Sequence, residues 1–269
     1  MSAVGKFSRN SHVQRRVNGG AIVTGGAGGI GKAIVKRLLD AGVSVMIADM
    51  HVKTSLLPKF PRKSSRAKLL SYQIDISDPL QVDLMVEAAA NEFGEISILV
   101  NSAGGAVAAP FLKTSPDLLN KMLAVNLCGP FYCAQACARL MMKSGAGRII
   151  HIASHSGLLG STDRAAYAAS KGGLIAATRV MAVELASFGI TVNAIAPGPV
   201  EVSRHKSNHS DTRRTAWAKA VPLGRYADPD EIAAAAVFLA IDRSDYITGE
   251  VISIDGGFGA AGLVMKSKH

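Results

Sequence analysis

The chain has 269 residues, 48% of them hydrophobic, which suffices for one large α/β domain with a sizeable core. No apolar run approaches the roughly 18 residues of a membrane helix, and the N-terminus lacks the apolar core of a secretory signal. The net charge of +10 invites nucleic-acid binding, but no recognition helix, zinc-finger spacing or aromatic RNA-binding signature accompanies it, so no nucleic-acid or membrane partner is expected.

The excess positive charge is local. Residues 1–18 carry Lys6, Arg9, Arg15 and Arg16 with no acid, and read as a flexible basic arm. The short apolar run Ala21-Ile22-Val23 then reads as a strand. It leads into Thr24-Gly25-Gly26-Ala27-Gly28-Gly29-Ile30-Gly31, and Lys32 to Leu39 has helical spacing. Strand, glycine loop and helix together suit a pyrophosphate. Glycines allow a tight turn and close backbone approach, and a helix N-terminus offers free N–H groups and a partial positive charge. Val43 to Asp49 reads as a second strand ending in an acid, placed where a carboxylate can grip ribose hydroxyls.

The segment 51–68 carries Lys53, Lys59, Arg62, Lys63, Arg66 and Lys68, interrupted by Pro58, Pro61 and Ser64-Ser65, so a loop is predicted there. Beyond it, strand-like and helix-like segments alternate. That pattern predicts a Rossmann-type doubly wound parallel sheet with helices on both faces. The expected organisation is one domain over residues 19–257, a lid at about 200–220 and a tail at 258–269. Cys128, Cys133 and Cys137 fall within one predicted helix. Their spacing fits neither zinc nor a disulfide framework, so buried reduced thiols and a cytoplasmic location are expected, with no metal site.

Tyr167 and Lys171 are four residues apart, hence on one face of a helix. A phenol ordinarily titrates near pH 10, and a neighbouring ammonium favours the phenolate. The pair is what a general acid/base for an alcohol–ketone interconversion needs. Further on, the lid carries Arg204, Lys206, Arg213 and Arg214, and with Arg164 these suggest an anionic substrate. Asp228, Pro229 and Glu231 read as the start of a helix, and Ile232 to Ile241 as a buried helix or a subunit contact. Val251 to Ile254 reads as the last strand.

Thr24-Gly25-x-x-x-Gly29-Ile30-Gly31, Asn101-Ser102-Ala103-Gly104, Asn126, Ser154, Tyr167-x-x-x-Lys171 and Pro197-Gly198 resemble the short-chain dehydrogenase/reductase family, from about Gly20 to Gly257. The resemblance implies a catalytic tetrad of Asn126, Ser154, Tyr167 and Lys171. Tyr167 would move the proton at the substrate oxygen and Ser154 would hold that oxygen. Lys171 would lower the phenol's pKa and bind the nicotinamide ribose. Asn126 would bend a helix and anchor a water leading to Lys171. Ser156 is a nearby alternative to Ser154 at a less fitting interval. The cofactor would meet Gly25, Gly28, Gly29, Ile30, Gly31, Asp49, Met50, Asp75, Ile76, Asn101, Ala103, Gly104, Tyr167, Lys171, Pro197, Gly198 and Val200.

NAD is expected over NADP, because Asp49 opposes an extra phosphate and neither Gly28 nor Met50 is basic. Val202 stands where the family usually has a Thr that bonds the carboxamide. Ser203 or the Val200 backbone would take over, the backbone being preferred. Substrate contacts are expected from Ser156, Arg164, Arg204 and Lys206. The implied activity is hydride transfer between nicotinamide and a secondary alcohol or ketone, in a homotetramer or homodimer. The alternatives are an NADPH-dependent 3-oxoacyl-thioester reductase and a non-catalytic NAD-binding scaffold.

Overall fold

The computed structural model describes residues 19–52, 67–202, 211–241 and 244–261. The basic arm, most of the 51–68 loop, lid residues Ser203, Arg204 and Lys206, the Arg213 side chain and the last eight positions of the tail lie outside the described residues.

The strands are β1 (Gly20–Thr24), β2 (Val45–Asp49), β3 (Leu69–Gln73), β4 (Ile96–Asn101), β5 (Gly147–Ile152), β6 (Ile190–Pro197) and β7 (Val251–Ile254). They form one sheet in the order β3-β2-β1-β4-β5-β6-β7, with every neighbouring pair parallel. β1, β4, β5 and β6 are buried along their whole length, as expected for a sheet covered on both faces. The helices supply that cover. They are α1 (Gly29–Asp40), α2 (Pro79–Phe93), α3 (Pro116–Leu123), α4 (Gly129–Ser144), α5 (Ala165–Leu185), α6 (Asp211–Ala220) and α7 (Pro229–Ile241).

Period-2 alternation divides the core into two layers. In β1, Ile22 joins Met85 of α2 and Cys133, Cys137 and Met141 of α4 on one face. Ala21 and Val23 join Ile34 and Leu38 of α1 and Ile232 and Leu239 of α7 on the other. The sheet order reverses between β1 and β4, and in doubly wound sheets ligands bind at the C-terminal strand ends of such a point.

The helix boundaries follow local chemistry. Asp78 caps α2 by accepting the Leu80 N–H at 2.9 Å, with Pro79 in the first turn. Asp228 and Glu231 form the expected reciprocal cap of α7. The Asp230 N–H donates to Asp228 Oδ1 and the Asp228 N–H to Glu231 Oε2, both at 2.8 Å. Between α3 and α4 the chain widens into a π turn at Ala124–Cys128, the local bend anticipated at Asn126.

Other readings shift. β2 starts at Val45 and not at Val43, because the Val43 N–H is taken by the Leu38 carbonyl at the end of α1. Cys133 and Cys137 are buried, with burial pushing the Cys133 thiol up to about 12, whereas Cys128 lies in the π turn and is half-buried. Within the described part of the lid, Val200 forms an isolated bridge with Ala227 and Asp211–Ala220 form helix α6. No described helix is long and apolar enough to cross a membrane.

Candidate active site

Thr24 at the end of β1 pairs in register with Asn101 at the end of β4. Its fully buried hydroxyl accepts the N–H groups of Ser102 and Ala103, both at 3.2 Å. This pins the segment Asn101 to Gly104 beside the glycine loop. The loop tolerates no side chain at two points. A Cβ on Gly25 would lie 2.7 Å from the Ala103 backbone, and one on Gly31 would lie 2.2 Å from the Gly25 carbonyl oxygen. Gly25 also has φ of +65°, which favours glycine. A Cβ on Gly28, by contrast, would meet nothing within 4 Å. No side chain caps the start of α1, so its first N–H groups are left to solvent or a ligand.

Asp49 stands at the rim of this cradle. Its Oδ2 accepts the Ala27 N–H at 3.2 Å and its Oδ1 the His51 N–H at 3.1 Å. Each oxygen retains acceptor capacity for a hydroxyl. Met50 beside it is half exposed. Asp75 turns one carboxylate oxygen into its own turn, accepting from the Ser77 N–H at 2.9 Å and Oγ at 2.7 Å. Ile76 is buried, and a Cβ on Gly129 would meet it at 2.7 Å, so its side chain belongs to the core and only its backbone could face a nucleotide.

At the same end of the sheet, Pro197 ends β6 and the Gly198 N–H donates to the Ile254 carbonyl at 3.0 Å. Val200 is buried, and its carbonyl accepts the Val202 N–H at 2.9 Å. A Cβ on Gly29 would lie 3.1 Å from Val202 Cγ1, so the valine standing in place of a threonine packs on the first turn of α1 next to Ile30. The uncapped helix start, the glycine cradle and the carboxylate together fit a dinucleotide.

The four tetrad residues converge at the same strand ends. Asn126 is fully buried in the π turn. Its Oδ1 accepts the Gly105 N–H and its Nδ2 donates to the Gly105 carbonyl, both at 2.9 Å, and also to Ser170 Oγ at 3.1 Å. Ser170 in turn donates to the Tyr167 carbonyl at 2.7 Å. Asn126 thus ties the exit of β4 to α5. A Cβ on Gly104 would lie 2.9 Å from Asn126 Oδ1 and 3.5 Å from Lys171 Nζ, which places all three together. Ser154 hydrogen-bonds the Tyr167 side chain and accepts the Ser156 N–H at 3.1 Å. Ser156 sits beside the pair, its Oγ 3.5 Å from His155 Nε2. The Arg164 guanidinium lies 5.7 Å from the centre of the Tyr167 ring.

One electrostatic expectation is corrected. The Tyr167–Lys171 spacing predicts a lowered phenol, yet burial raises the Tyr167 pKa above its ordinary value, against the opposing bond from Ser154 and charge of Arg164. Lys171 Nζ donates to the Ile152 carbonyl at 2.8 Å, and its own burial brings its pKa down to about 8. Helical spacing sets which side chains share a face, not where an ammonium points.

His151 is a further member of the site that no sequence motif marks. It is fully buried on β5, with Nδ1 3.2 Å from Asn101 Nδ2, which donates as well to the Pro130 carbonyl at 3.1 Å. An amide NH₂ only donates, so His151 Nδ1 accepts and the proton sits on Nε2. Burial, and then the charge of Lys171, bring its pKa down to about 3, so it is neutral at ordinary pH. A single His within Ile149-Ile150-His151-Ile152 carries no signal that separates it from the strand.

Fold and site together define a dinucleotide-binding oxidoreductase. Residues 25–259 match the family model described as enoyl-(acyl carrier protein) reductase. D-threitol dehydrogenase of Mycolicibacterium smegmatis is 37% identical over 238 residues, 88% of this chain and 92% of that protein. A 3-oxoacyl-(acyl carrier protein) reductase of Chlamydia trachomatis is 37% identical over 242 residues, 90% of this chain and 97% of that one. The solved structure of ElxO with NADP bound matches with a TM-score of 0.84 at 29% identity, covering 90% of this chain and 99% of that one. The chain belongs to the short-chain dehydrogenase/reductase family, and it is an enzyme that uses a nicotinamide cofactor.

Proposed function

We propose that the enzyme transfers hydride between a secondary alcohol or its ketone and NAD. Tyr167 exchanges the proton of the substrate oxygen and Ser154 holds that oxygen. Lys171 binds the nicotinamide ribose through its buried ammonium. Asn126 fixes Gly105 and the Tyr167 turn in place. When bound, the nicotinamide accepts or returns the hydride.

The observation that carries the cofactor preference is the Asp49 carboxylate at the rim of the glycine loop, held by the Ala27 and His51 N–H groups. At about 4 Å, each unit charge of an added ribose phosphate would meet roughly 4 kcal/mol of repulsion near a protein surface. Neither Gly28 nor Met50 can offset it. The D-threitol dehydrogenase relative is in keeping with an alcohol substrate. The basic lid favours an anion less than its composition suggests. Arg214 is held bidentately by Glu201, at 3.0 and 2.5 Å, and its guanidinium lies 4.8 Å from the Tyr226 ring centre. Arg204 and Lys206 lie outside the described residues.

A second reading, an NADPH-dependent 3-oxoacyl-thioester reductase, is favoured by the Chlamydia trachomatis relative and the NADP-bound neighbour. One experiment separates the two. NADH formation is followed over a panel of neutral secondary alcohols, each paired with a carboxylate or thioester analogue, with NADP⁺ in parallel and Tyr167→Phe as blank. NAD⁺-linked turnover of neutral members, absent in Tyr167→Phe, is expected. Equal or better rates with NADP⁺ would sink the Asp49 argument, and turnover retained by Tyr167→Phe would sink the acid/base assignment.

A further inference from the structure

His155 directly follows Ser154, and its imidazole joins three separate parts of the chain. Its Nδ1 lies 3.0 Å from the Pro197 carbonyl oxygen. A carbonyl only accepts, so Nδ1 carries the proton and donates. The ring, itself almost fully buried, stands edge-on to Trp217 of α6 and to Phe258 beyond β7, each with centroids 5.2 Å apart and planes at 76°. Trp217 and Phe258 also touch, at 5.4 Å. Edge-to-face pairs of this kind are favourable beyond their buried area.

The other two corners of this cluster are themselves fixed. The turn bearing Phe258 is held by Asp255, whose carboxylate accepts the Gly257 N–H at 3.0 Å and the Gly259 N–H at 2.8 Å. On α6, Arg214 precedes Trp217 by one helical turn, so both lie on one face. That face is anchored at one end by the Arg214–Glu201 pair and at the other by buried Val221, which would lie 2.6 Å from a Cβ on Gly256.

We infer that His155 is a positioning residue, through which the docking of α6 by Trp217 sets the Pro197–Gly198 segment and the Ser154 turn. The inference rests on the reading above, in which Ser154 holds the substrate oxygen and Pro197–Gly198 lines the nicotinamide. The imidazole is the link between them. Its N–H fixes the strand end on the cofactor side, its backbone continues from Ser154, and its ring meets the helix. A lid that is displaced withdraws Trp217 from the ring and loosens both sides of the hydride transfer together.

The test uses His155→Phe, which keeps a ring against Trp217 but loses the N–H, together with Trp217→Ala, Trp217→Phe and the double variant His155→Phe/Trp217→Ala. Binding of NADH is compared with binding of ADP-ribose, which lacks the nicotinamide, by calorimetry on the full chain. Losing one hydrogen bond corresponds to about fivefold weaker NADH binding in His155→Phe, with ADP-ribose changed by less than about twofold. Trp217→Ala is expected to match it, Trp217→Phe to restore most of the loss, and the double variant to lose no more than the worse single one.

Equal weakening of both ligands would reduce His155 to a general structural role. No change in either, or losses that multiply in the double variant, would overturn the link. The comparison is independent of turnover. A silent alcohol panel would therefore defeat the proposed reaction while leaving this inference to stand or fall on binding.

Discussion

Lys171→Met isolates the energetic cost of the proposed site. The Lys171 ammonium is buried, and burial brings its pKa from 10.5 to about 8. At 1.36 kcal/mol per unit, that shift corresponds to a cost on the order of 3 kcal/mol for holding the charge inside the fold at neutral pH. The ammonium also donates to the Ile152 carbonyl at 2.8 Å, and losing that bond offsets about 1 kcal/mol. Methionine fills similar space without charge, so the unliganded variant should be more stable than the parent by roughly 2 kcal/mol at pH 7.

The pH dependence gives the sign. Below about pH 8 both folded and unfolded Lys171 are protonated, and the penalty is constant. Between about 8 and 10.5 the unfolded chain keeps the proton that the folded protein has released, so this group's contribution rises with pH. The variant has no such group. Urea unfolding of both proteins at pH 7 and pH 10 should show its advantage shrinking at the higher pH, alongside complete loss of turnover. A variant less stable at pH 7, or an advantage equal at both pH values, would refute the reasoning.

Three further outcomes are expected. Gly31→Ala puts a methyl 2.2 Å from the Gly25 carbonyl oxygen, so the loop must move; NADH binding measured by fluorescence should weaken by about tenfold or more, with the circular dichroism of the sheet retained. Asn126→Ala leaves the Gly105 N–H and carbonyl and Ser170 without their shared partner, and should lower the urea-unfolding free energy by about 2 kcal/mol and reduce kcat. Arg214→Gln releases α6 from Glu201; the alcohol KM should rise by about two- to fivefold in steady-state kinetics, while ADP-ribose binding holds.

What could be read in the sequence was what depends on near neighbours. Glycines between a strand and a helix announce a phosphate cradle because backbone geometry demands them there, and Asp49 follows at the next strand end. Asp228, Pro229 and Glu231 announce a helix start for the same local reason. The sheet followed from alternation alone. Contacts between distant segments left no such trace. Trp217, His155 and Phe258 meet only because α6 folds back over the end of β5. Arg214 looked available to an anion because Glu201 lies on the other side of the lid. Burial was equally illegible: it raises Tyr167 where the Tyr–Lys spacing argued for lowering, and it holds His151 neutral within an apolar strand.

The charge arrangement explains why those buried groups belong together. His151 and Lys171 are neighbours beneath the sheet end, and two cations there would repel in a medium that screens poorly. With the His151 pKa at about 3, the imidazole stays neutral throughout the range in which Lys171, at about 8, is mostly charged. Lys171 is then the positive charge of this inner cluster. It lies one helical turn from Tyr167, with its Nζ turned to the Ile152 carbonyl. The Asn101 amide reinforces the neutral state of His151, because donation to His151 Nδ1 requires the neutral ring. A charge that is costly to bury is thereby kept free of a like-charged neighbour chiefly because the imidazole beside it is itself buried.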